Sequence, residues 1–295
     1  MNFLRSTATV LLWLLTTVLL AVALPAMWAQ QHLIDRDGYA ALAQRAAADP
    51  ALQSAMAGEL TAQVGRIGGS DSTVVRGIAR AYTASSSFPP QFAQANAFAH
   101  RWLFTGAVDS SVDSQGRWVI DFAPMLSDAA FVQTLRDYNI TVPSSVPIPL
   151  TAPSALRPGA LHRFALWGPW ASWGLAVLTA GAAVLTLLAA RRRGKAIAAL
   201  GVSALLVGGA GWAAIELGQP QLRSALDQTS GLRRVAEAMA ATAQDSMHEW
   251  LNVAMIAGAG LVIVGVIVTL LAGLAQSSSR RPGGRPARPP KFDAE

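Results

Sequence analysis

Four long stretches without a charged residue constrain this chain more than any other feature of its sequence. The hydrocarbon core of a bilayer is about 30 Å thick, so a spanning helix needs roughly 20 apolar residues at about 1.5 Å of rise each. The stretches of sufficient length are residues 8–28, 166–190, 196–215 and 250–275. The sequence therefore predicts an all-α membrane protein with four transmembrane helices.

The composition of the chain agrees with a membrane setting. Of its residues, 52% are hydrophobic and 14% are charged, whereas charged residues make up about 25% of an ordinary soluble domain. The net charge of +6 would suit nucleic acid only if the basic residues shared a folded face with aromatic side chains. They lie beside the spans instead, so no nucleic-acid partner is expected. With no cysteine, the chain has neither disulfides nor thiolate ligands.

The first apolar stretch has a second interpretation, as a cleaved secretory signal peptide. It follows the segment MNFLR and ends near the small residues Ala26 and Ala29. However, its uncharged run from residue 6 to 31 exceeds the roughly 7 to 15 apolar residues of a signal peptide. Neither Leu24 nor Met27 completes an A-x-A cleavage site with those alanines. We therefore favour a transmembrane helix.

The distribution of lysine and arginine predicts the orientation, because basic loops are retained in the cytoplasm. One side of the spans holds ten basic residues and two acids, whereas the segment 29–165 opposite holds ten arginines and ten acids. We expect a bacterial plasma membrane, with both termini cytoplasmic and the segments 29–165 and 216–249 outside. The basic residues expected to set this topology and contact lipid headgroups include Arg191, Arg192, Arg193, Lys195, Arg280 and Arg281.

Tryptophan supports the same orientation, because its amphipathic ring favours the headgroup region of a membrane. Six of the nine tryptophans fall at the predicted outer ends of the spans. Trp167, Trp170 and Trp173 are the predicted outer interface anchors. The other three of the six are Trp28, Trp212 and Trp250.

The segment 29–165 is predicted to be a mainly helical external domain. Asp49 and Pro50 form a helix start followed by a helical apolar pattern over about 17 residues. Further helices are expected from residue 71 or 72, from Pro89 or Pro90, and from Ser127 or Asp128.

A short β-hairpin is expected near residues 107–122, where a turn-rich segment precedes alternating apolar residues. The proline-rich segment 141–159 is interpreted as an extended strap. The segment 216–249 is predicted to be an external helical loop, and residues 276–295 a disordered basic cytoplasmic tail.

Two motifs in the predicted external domain carry a resemblance. They are FAQANAFAHRWLFTG, at residues 92–106, and WVIDFAPML, at residues 118–126, both placed between a first span and a basic-flanked helical hairpin. In these motifs the chain resembles uncharacterised multi-span membrane proteins common in actinobacteria. The resemblance covers about residues 30–195 and implies a shared outer domain and topology, but it implies no activity. Matching positions are Asn96, His100, Leu103, Asp121 and Pro124, whereas Phe92 and Phe122 depart from the pattern.

Asn96 and His100 form the candidate polar pair of this domain, because they lie one helical turn apart and face the same side. Such a pair either binds a ligand or transfers a proton, or it fixes the register of a neighbouring segment, which is the commoner role. The remaining histidines have no zinc-ligand spacing, and the sequence contains none of the familiar nucleotide-binding or hydrolase motifs. No catalytic residue, cofactor or metal is therefore predicted.

The spans favour helix packing over ion transport. They contain no Asp, Glu, His or Arg to carry a coupling ion, whereas small residues recur at four-residue spacing. The pairs are Ala176 with Ala180, Ala204 with Gly208 and Ala254 with Gly258. Such pairs serve packing within the chain or against a partner, and we favour packing within the chain.

Three functions remain open from the sequence. The favoured one is a non-catalytic accessory or scaffold subunit of the cell envelope, which binds another envelope component through its external domain. The first alternative handles lipid or a small apolar ligand at the outer membrane–water interface, and the second is an envelope enzyme with an unrecognised site. The expected partners are membrane lipids and a further membrane protein, and the oligomeric state is left open.

Overall fold

A computed structural model of the chain describes residues 2–66, 72–105, 118–121, 147–150, 159, 161–226 and 233–278. A five-residue π-helix, Gln30–Ile34, joins the first two α-helices. The α-helices are α1 (Asn2–Ala29), α2 (Arg36–Ala47), α3 (Pro50–Arg66), α4 (Ser72–Thr83), α5 (Phe88–Thr105), α6 (His162–Ala189), α7 (Arg193–Leu226) and α8 (Arg233–Ser278). The two strands are β1 (Trp118–Asp121) and β2 (Pro147–Leu150).

Four of the helices are long and apolar enough to cross a membrane, and they are α1 with the π-helix, α6, α7 and α8. This confirms the prediction of a multi-pass membrane protein with four spans. The helices extend beyond the predicted apolar stretches. At about 1.5 Å of rise per residue, the 46 residues of α8 reach about 69 Å, more than twice the thickness of a hydrocarbon core.

Glycines form the seam between α7 and α8, which pack along each other as a helical hairpin. Gly194 and Gly201 lie seven residues apart on α7, and Gly258 and Gly265 lie seven apart on α8. Seven residues are close to two helical turns, so each pair shares a face. A Cβ added to Gly201 would lie 2.5 Å from the carbonyl oxygen of Gly258, and one added to Gly265 would lie 2.4 Å from the amide nitrogen of Ala198. The two backbones therefore approach more closely than any side chain would allow.

The three small-residue pairs predicted from the sequence do not all pack in the same way. A Cβ on Gly258 would lie 2.9 Å from the Cβ of Ala204, so the predicted pairs on α7 and α8 contribute to the seam. The pair on α6 does not pack in this way, because Ala180 is exposed and Ala176 is only half-buried. Packing within the chain is therefore found for two of the three predicted pairs.

Polar side chains hold α1 between α6 and α7. The indole nitrogen of Trp13 donates to the carbonyl oxygen of Ala199 at 2.9 Å. The hydroxyls of Thr17 on α1 and Ser203 on α7 lie 2.7 Å apart. On the opposite flank, the Thr16 hydroxyl lies 3.4 Å from the hydroxyl of Thr186 on α6. These contacts were not expected from the sequence.

Helices α2–α5 pack together in a group that we call the helical cluster. Its core combines large apolar side chains, of which Leu52 and Phe88 are fully buried, with several alanines, and it includes Val235 from α8. Local caps begin two of its helices. The Asp35 carboxylate accepts from the amide of Gly38 at 2.8 Å, and the Asp49 carboxylate accepts from the amide of Ala51 at 2.7 Å.

Two helical details were not expected from the sequence. Helix α2 was not predicted, whereas α3 has the predicted length of 17 residues. The described residues of the segment 216–249 are helical, as predicted, but they continue the spanning helices, because α7 extends to Leu226 and α8 begins at Arg233. Both spanning helices thus run on past the apolar stretches without a break in the described residues.

The two strands pair antiparallel, with Trp118 opposite Leu150 and Asp121 opposite Pro147. This pairing joins the predicted strand to the predicted strap, so the local hairpin expected near residues 107–122 is not supported. The helix predicted from Ser127 or Asp128 lies outside the described residues, as does most of the strap.

Candidate functional site

The predicted polar pair lies on α5, against the chain that leaves the first span. His100 is only 6% exposed, and its Nε2–H group donates to the carbonyl oxygen of Leu33 at 3.0 Å. The imidazole ring stacks on Phe104 at 4.2 Å between centroids and lies 5.0 Å from the ring of Tyr39. His100 therefore joins three elements, namely α5, α2 and the π-helix.

Asn96 completes this arrangement from the same face of α5. Its side-chain nitrogen donates to the carbonyl oxygen of Phe92 at 2.9 Å. Its side-chain oxygen accepts from the Tyr39 hydroxyl at 3.4 Å. Tyr39 of α2 thus contacts both members of the pair, through a hydrogen bond to Asn96 and a ring contact with His100.

Burial controls the ionisation of this group. It lowers the pKa of His100, an effect that the hydrogen bond to the carbonyl of Leu33 opposes. It raises the pKa of Tyr39. Near neutral pH we therefore expect an uncharged imidazole with its proton on Nε2, beside an uncharged phenol.

The position of Leu33 explains why a histidine is useful here. The last carbonyl groups of a helix have no partner within that helix, and the π-helix ends at Ile34. His100 supplies a donor to one of them, and its ring fills the space between Tyr39 and Phe104. The bonds that the structure gives Asn96 and His100 hold α5 against α2 and the end of the first span.

A second polar and aromatic group lies where the spans meet the helical cluster. The His32 ring stacks on Trp28 at 5.6 Å and meets Trp250 edge-on at 5.8 Å. Its Nδ1–H donates to the carbonyl oxygen of Trp28 at 3.1 Å, and the Trp28 indole donates to the Ser246 hydroxyl at 3.3 Å. This group connects α1 to α8.

His248 forms a comparable contact between α7 and α8. Its ring stacks on Trp212 at 3.8 Å, and the indole of Trp212 donates to the Asn252 side chain at 3.2 Å. The Nε2 atom of His248 is buried without a hydrogen-bond partner among the described residues. Within that part of the chain, no three His, Asp or Glu side chains are grouped so that they could hold a metal ion.

The sequence predicts no role for His32 or His248, because neither has metal-ligand spacing. In the structure, the ring of each packs against tryptophan. One signal was present, because Trp28 and His32 are four residues apart and therefore neighbours on a helix. The contacts with Trp250 and Trp212 come from other helices, and spacing along the chain does not reveal them.

The predicted interface anchors are exposed along α6. Trp167, Trp170 and Trp173 are 67%, 78% and 63% exposed, as expected for side chains facing lipid or headgroups. Beside them, Gly168 leaves room for Gln30 of the π-helix, since a Cβ there would lie 2.4 Å from the Gln30 side-chain oxygen. This close contact fixes the start of α6 beside the end of the first span.

The predicted basic residues fall into two groups. Arg191, Arg192, Arg193 and Lys195 are exposed at the turn between α6 and α7, at the opposite end of the spans from the helical cluster. Arg280 and Arg281 lie outside the described residues.

The fold and these contacts define a four-span membrane protein whose helical cluster is joined to its spans by buried aromatic and polar groups. Comparisons with protein-family models, characterised proteins and solved structures found no significant match.

Proposed function

We propose that this chain is a non-catalytic protein of the bacterial cell envelope, an accessory or scaffold subunit that binds another envelope component through its helical cluster. The junction between the cluster and α8 carries the proposal. Val235 lies in the core of the cluster, and Ala238 and Met239 of the same helix pack against it. Because α8 runs unbroken to Ser278, one helix is part of both the cluster and a membrane span.

Two further connections support a fixed position for the cluster. The His100–Leu33 hydrogen bond ties α5 to the end of the first span. The amide of Leu161 donates to the carbonyl of Leu103 at 3.2 Å, which ties the end of α5 to the start of α6. A docking unit held at three spans presents its surface in one orientation, which suits a scaffold.

The proposed orientation places the cluster outside a bacterial plasma membrane, with both termini in the cytoplasm. The four basic residues at the turn between α6 and α7 support this orientation, because basic loops are retained in the cytoplasm. The resemblance to actinobacterial multi-span proteins supports a bacterial plasma membrane.

Single cysteines test the orientation, because the natural chain contains none. Ser54 of α3 and Lys195 of α7 are both exposed. In intact cells we expect a membrane-impermeant maleimide to label Ser54→Cys and to leave Lys195→Cys unlabelled until the membrane is permeabilised. The reverse pattern would refute the proposed orientation.

Affinity purification in mild detergent tests the binding role. Arg76 and Arg80 lie one turn apart on the exposed face of α4, whereas Val75 and Ala79 on the other face are buried. We expect a defined envelope component to copurify with the natural chain and to be lost or depleted when both arginines are changed to glutamate.

The matched control reverses two exposed arginines that lie outside helices α2–α5, Arg223 on α7 and Arg234 on α8. It should leave copurification unchanged. Recovery of only the bare protein across several detergents would argue against a scaffold. Equal loss in both double variants would show that charge, rather than the α4 face, governs binding.

The exposed tryptophans of α6 favour one alternative, the handling of lipid or a small apolar ligand at the outer interface. Trp170 is the most exposed of the three at 78%. Under this alternative, a lipid would copurify with the chain and be lost from a variant in which all three tryptophans are changed to alanine, while protein partners would be absent.

A further inference from the structure

A cavity of about 580 Å³ lies at the end of the spans farthest from the helical cluster. It is an open cavity, bordered by the beginning of α1, the end of α6 and the beginning of α7. Its volume falls in the range of about 300 to 1,000 Å³ that is typical of small-molecule sites. Nothing in the proposed docking role of the helical cluster requires this cavity.

The mouth of the cavity is positively charged. Arg191, Arg192 and Lys195 line it, and all three are exposed. Among the described residues, the spanning parts of the chain supply no compensating acid, because residues 2–34, 164–215 and 250–278 contain neither Asp nor Glu. The positive charge is therefore available to an anion from outside the chain.

The inner wall has the opposite character. Val10, Ala189 and Ala196 contribute apolar surface, together with the ring of Trp13. The polar hydrogen of that ring is already used, since the Trp13 indole donates to the carbonyl of Ala199. This wall suits hydrocarbon, whereas the mouth suits a negative charge.

We propose that this cavity binds one anionic phospholipid. Its phosphate group lies against Arg191, Arg192 and Lys195, and one acyl chain enters along the apolar wall beside Trp13. A basic loop that only sets membrane orientation needs no cavity, and a free phosphate ion would gain nothing from an apolar wall. The combination of a cationic mouth and an apolar interior is what selects a lipid.

Native mass spectrometry of the purified full-length chain tests this proposal. We expect phosphatidylglycerol to bind roughly a hundredfold more tightly than phosphatidylcholine with the same acyl chains, because each of the three basic residues contributes about fivefold near an anionic headgroup. Inorganic phosphate at millimolar concentration should not displace the bound lipid. Equal binding of the two lipids, or displacement by phosphate, would overturn the proposal.

Charge variants distinguish lipid binding at the mouth of the cavity from a general electrostatic attraction between the basic chain and an anionic lipid. Changing Arg191, Arg192 and Lys195 to glutamine should weaken phosphatidylglycerol binding by roughly a hundredfold. The matched control changes three basic residues of the tail, Arg280, Arg281 and Arg285, to glutamine and should have less than about a twofold effect. An equal loss in both would overturn the proposal. If the first variant fails to fold, Lys195→Gln alone serves, with an expected loss of about fivefold.

A filled cavity tests the acyl-chain site. Ala189→Phe places a large ring in the cavity and should reduce phosphatidylglycerol binding by roughly tenfold, while all the cations remain. Ala171→Phe is the matched control, because Ala171 is exposed near the other end of the same helix. Unchanged binding in Ala189→Phe would refute the role of the cavity. None of these outcomes depends on whether the helical cluster has a partner.

Discussion

The seam between α7 and α8 is built on glycines, whereas the core of the helical cluster places large apolar side chains among alanines. The seam brings two backbones together at Gly201 and Gly258, where a single added Cβ would collide with a carbonyl oxygen. The cluster instead buries large side chains such as Leu52 and Phe88. The difference follows from the surroundings. Water drives apolar groups together, whereas lipid tails are as apolar as leucine and leave close packing to hold helices together.

Helix α8 shows both kinds of packing along its length. Val235, near its start, belongs to the core of the cluster, whereas Gly258 and Gly265, farther along, belong to the seam. Trp250 lies between them and contacts His32 of the π-helix. The change in packing along one helix thus coincides with the tryptophans expected at the membrane–water interface.

Removing the ring of Phe88 should cause the largest loss in the free energy of unfolding. Its ring is fully buried and lies 5.7 Å from the rings of both Tyr82 and Phe92. We expect Phe88→Ala to lower the free energy of unfolding by about 3 to 5 kcal/mol, measured by urea titration of the full chain in detergent. Trp170→Ala removes an aromatic ring that is 78% exposed and should cost far less. Equal losses would contradict the role given to the cluster core, because the cost of losing an aromatic ring would then not depend on its burial.

A side chain that forces α7 and α8 apart at the seam should cause the next largest loss in the free energy of unfolding. Gly201→Val places a branched side chain against the carbonyl of Gly258, and it should cost about 1 to 3 kcal/mol in the same titration. Gly209→Val makes the same change on the same helix, where no atom lies within 4 Å of the added Cβ. The control should be close to neutral. A control variant as unstable as Gly201→Val would show that helix propensity, not close approach, explains the glycines.

Local signals account for the parts of the fold that were predictable. The four spans follow from uncharged length alone, and α3 begins at Pro50 after Asp49 caps it. The polar pair Asn96–His100 was also visible, because four-residue spacing puts two side chains on one face of a helix. Each of these signals depends on residues that are neighbours along the chain.

The remaining features depend on which segments meet in space. Nothing in the sequence distinguishes Thr17 from other residues of its span. Its hydroxyl group lies 2.7 Å from that of Ser203 in the structure. The predicted fourth span begins at Trp250, whereas α8 begins at Arg233, and its first turns place Val235 in the core of the cluster. The carbonyl of Leu33 that His100 binds is 67 residues away in sequence. No local pattern reveals these partners.

His100→Phe tests whether a polar contact, as well as apolar burial, stabilises the helical cluster. The variant retains a ring beside Phe104 but leaves the Leu33 carbonyl without its donor, so we expect a loss of about 1 to 3 kcal/mol. Gln94→Ala, at an exposed position on the same helix, is the control and should be nearly neutral. A neutral His100→Phe would mean that ring packing alone accounts for the histidine.

The pH dependence gives a separate test of the same residue. Because burial lowers the pKa of His100 in the folded chain, its contribution to stability is present above the unfolded value of 6.5 and is lost as the pH falls through the lower folded value. The stability difference between the natural chain and His100→Phe should therefore shrink between pH 7 and pH 5. The other histidines are present in both proteins, so their contributions cancel in the difference. A difference that is constant or grows on acidification would contradict a buried neutral imidazole.

Thr17→Val should cause the smallest loss in the free energy of unfolding. It tests how much a hydroxyl contact contributes to the packing of α1 against α7. The Thr17 hydroxyl lies 2.7 Å from that of Ser203, and hydrogen bonds between membrane helices contribute about 0.6 kcal/mol on average. Ser203 retains a second partner, because its hydroxyl also donates to the carbonyl of Ala199 at 3.2 Å. A double-mutant cycle with Ser203→Ala should therefore give a coupling energy below about 1 kcal/mol. A coupling as large as the cost of Gly201→Val would mean that hydroxyl pairs, rather than close backbone approach, dominate the packing of the spans.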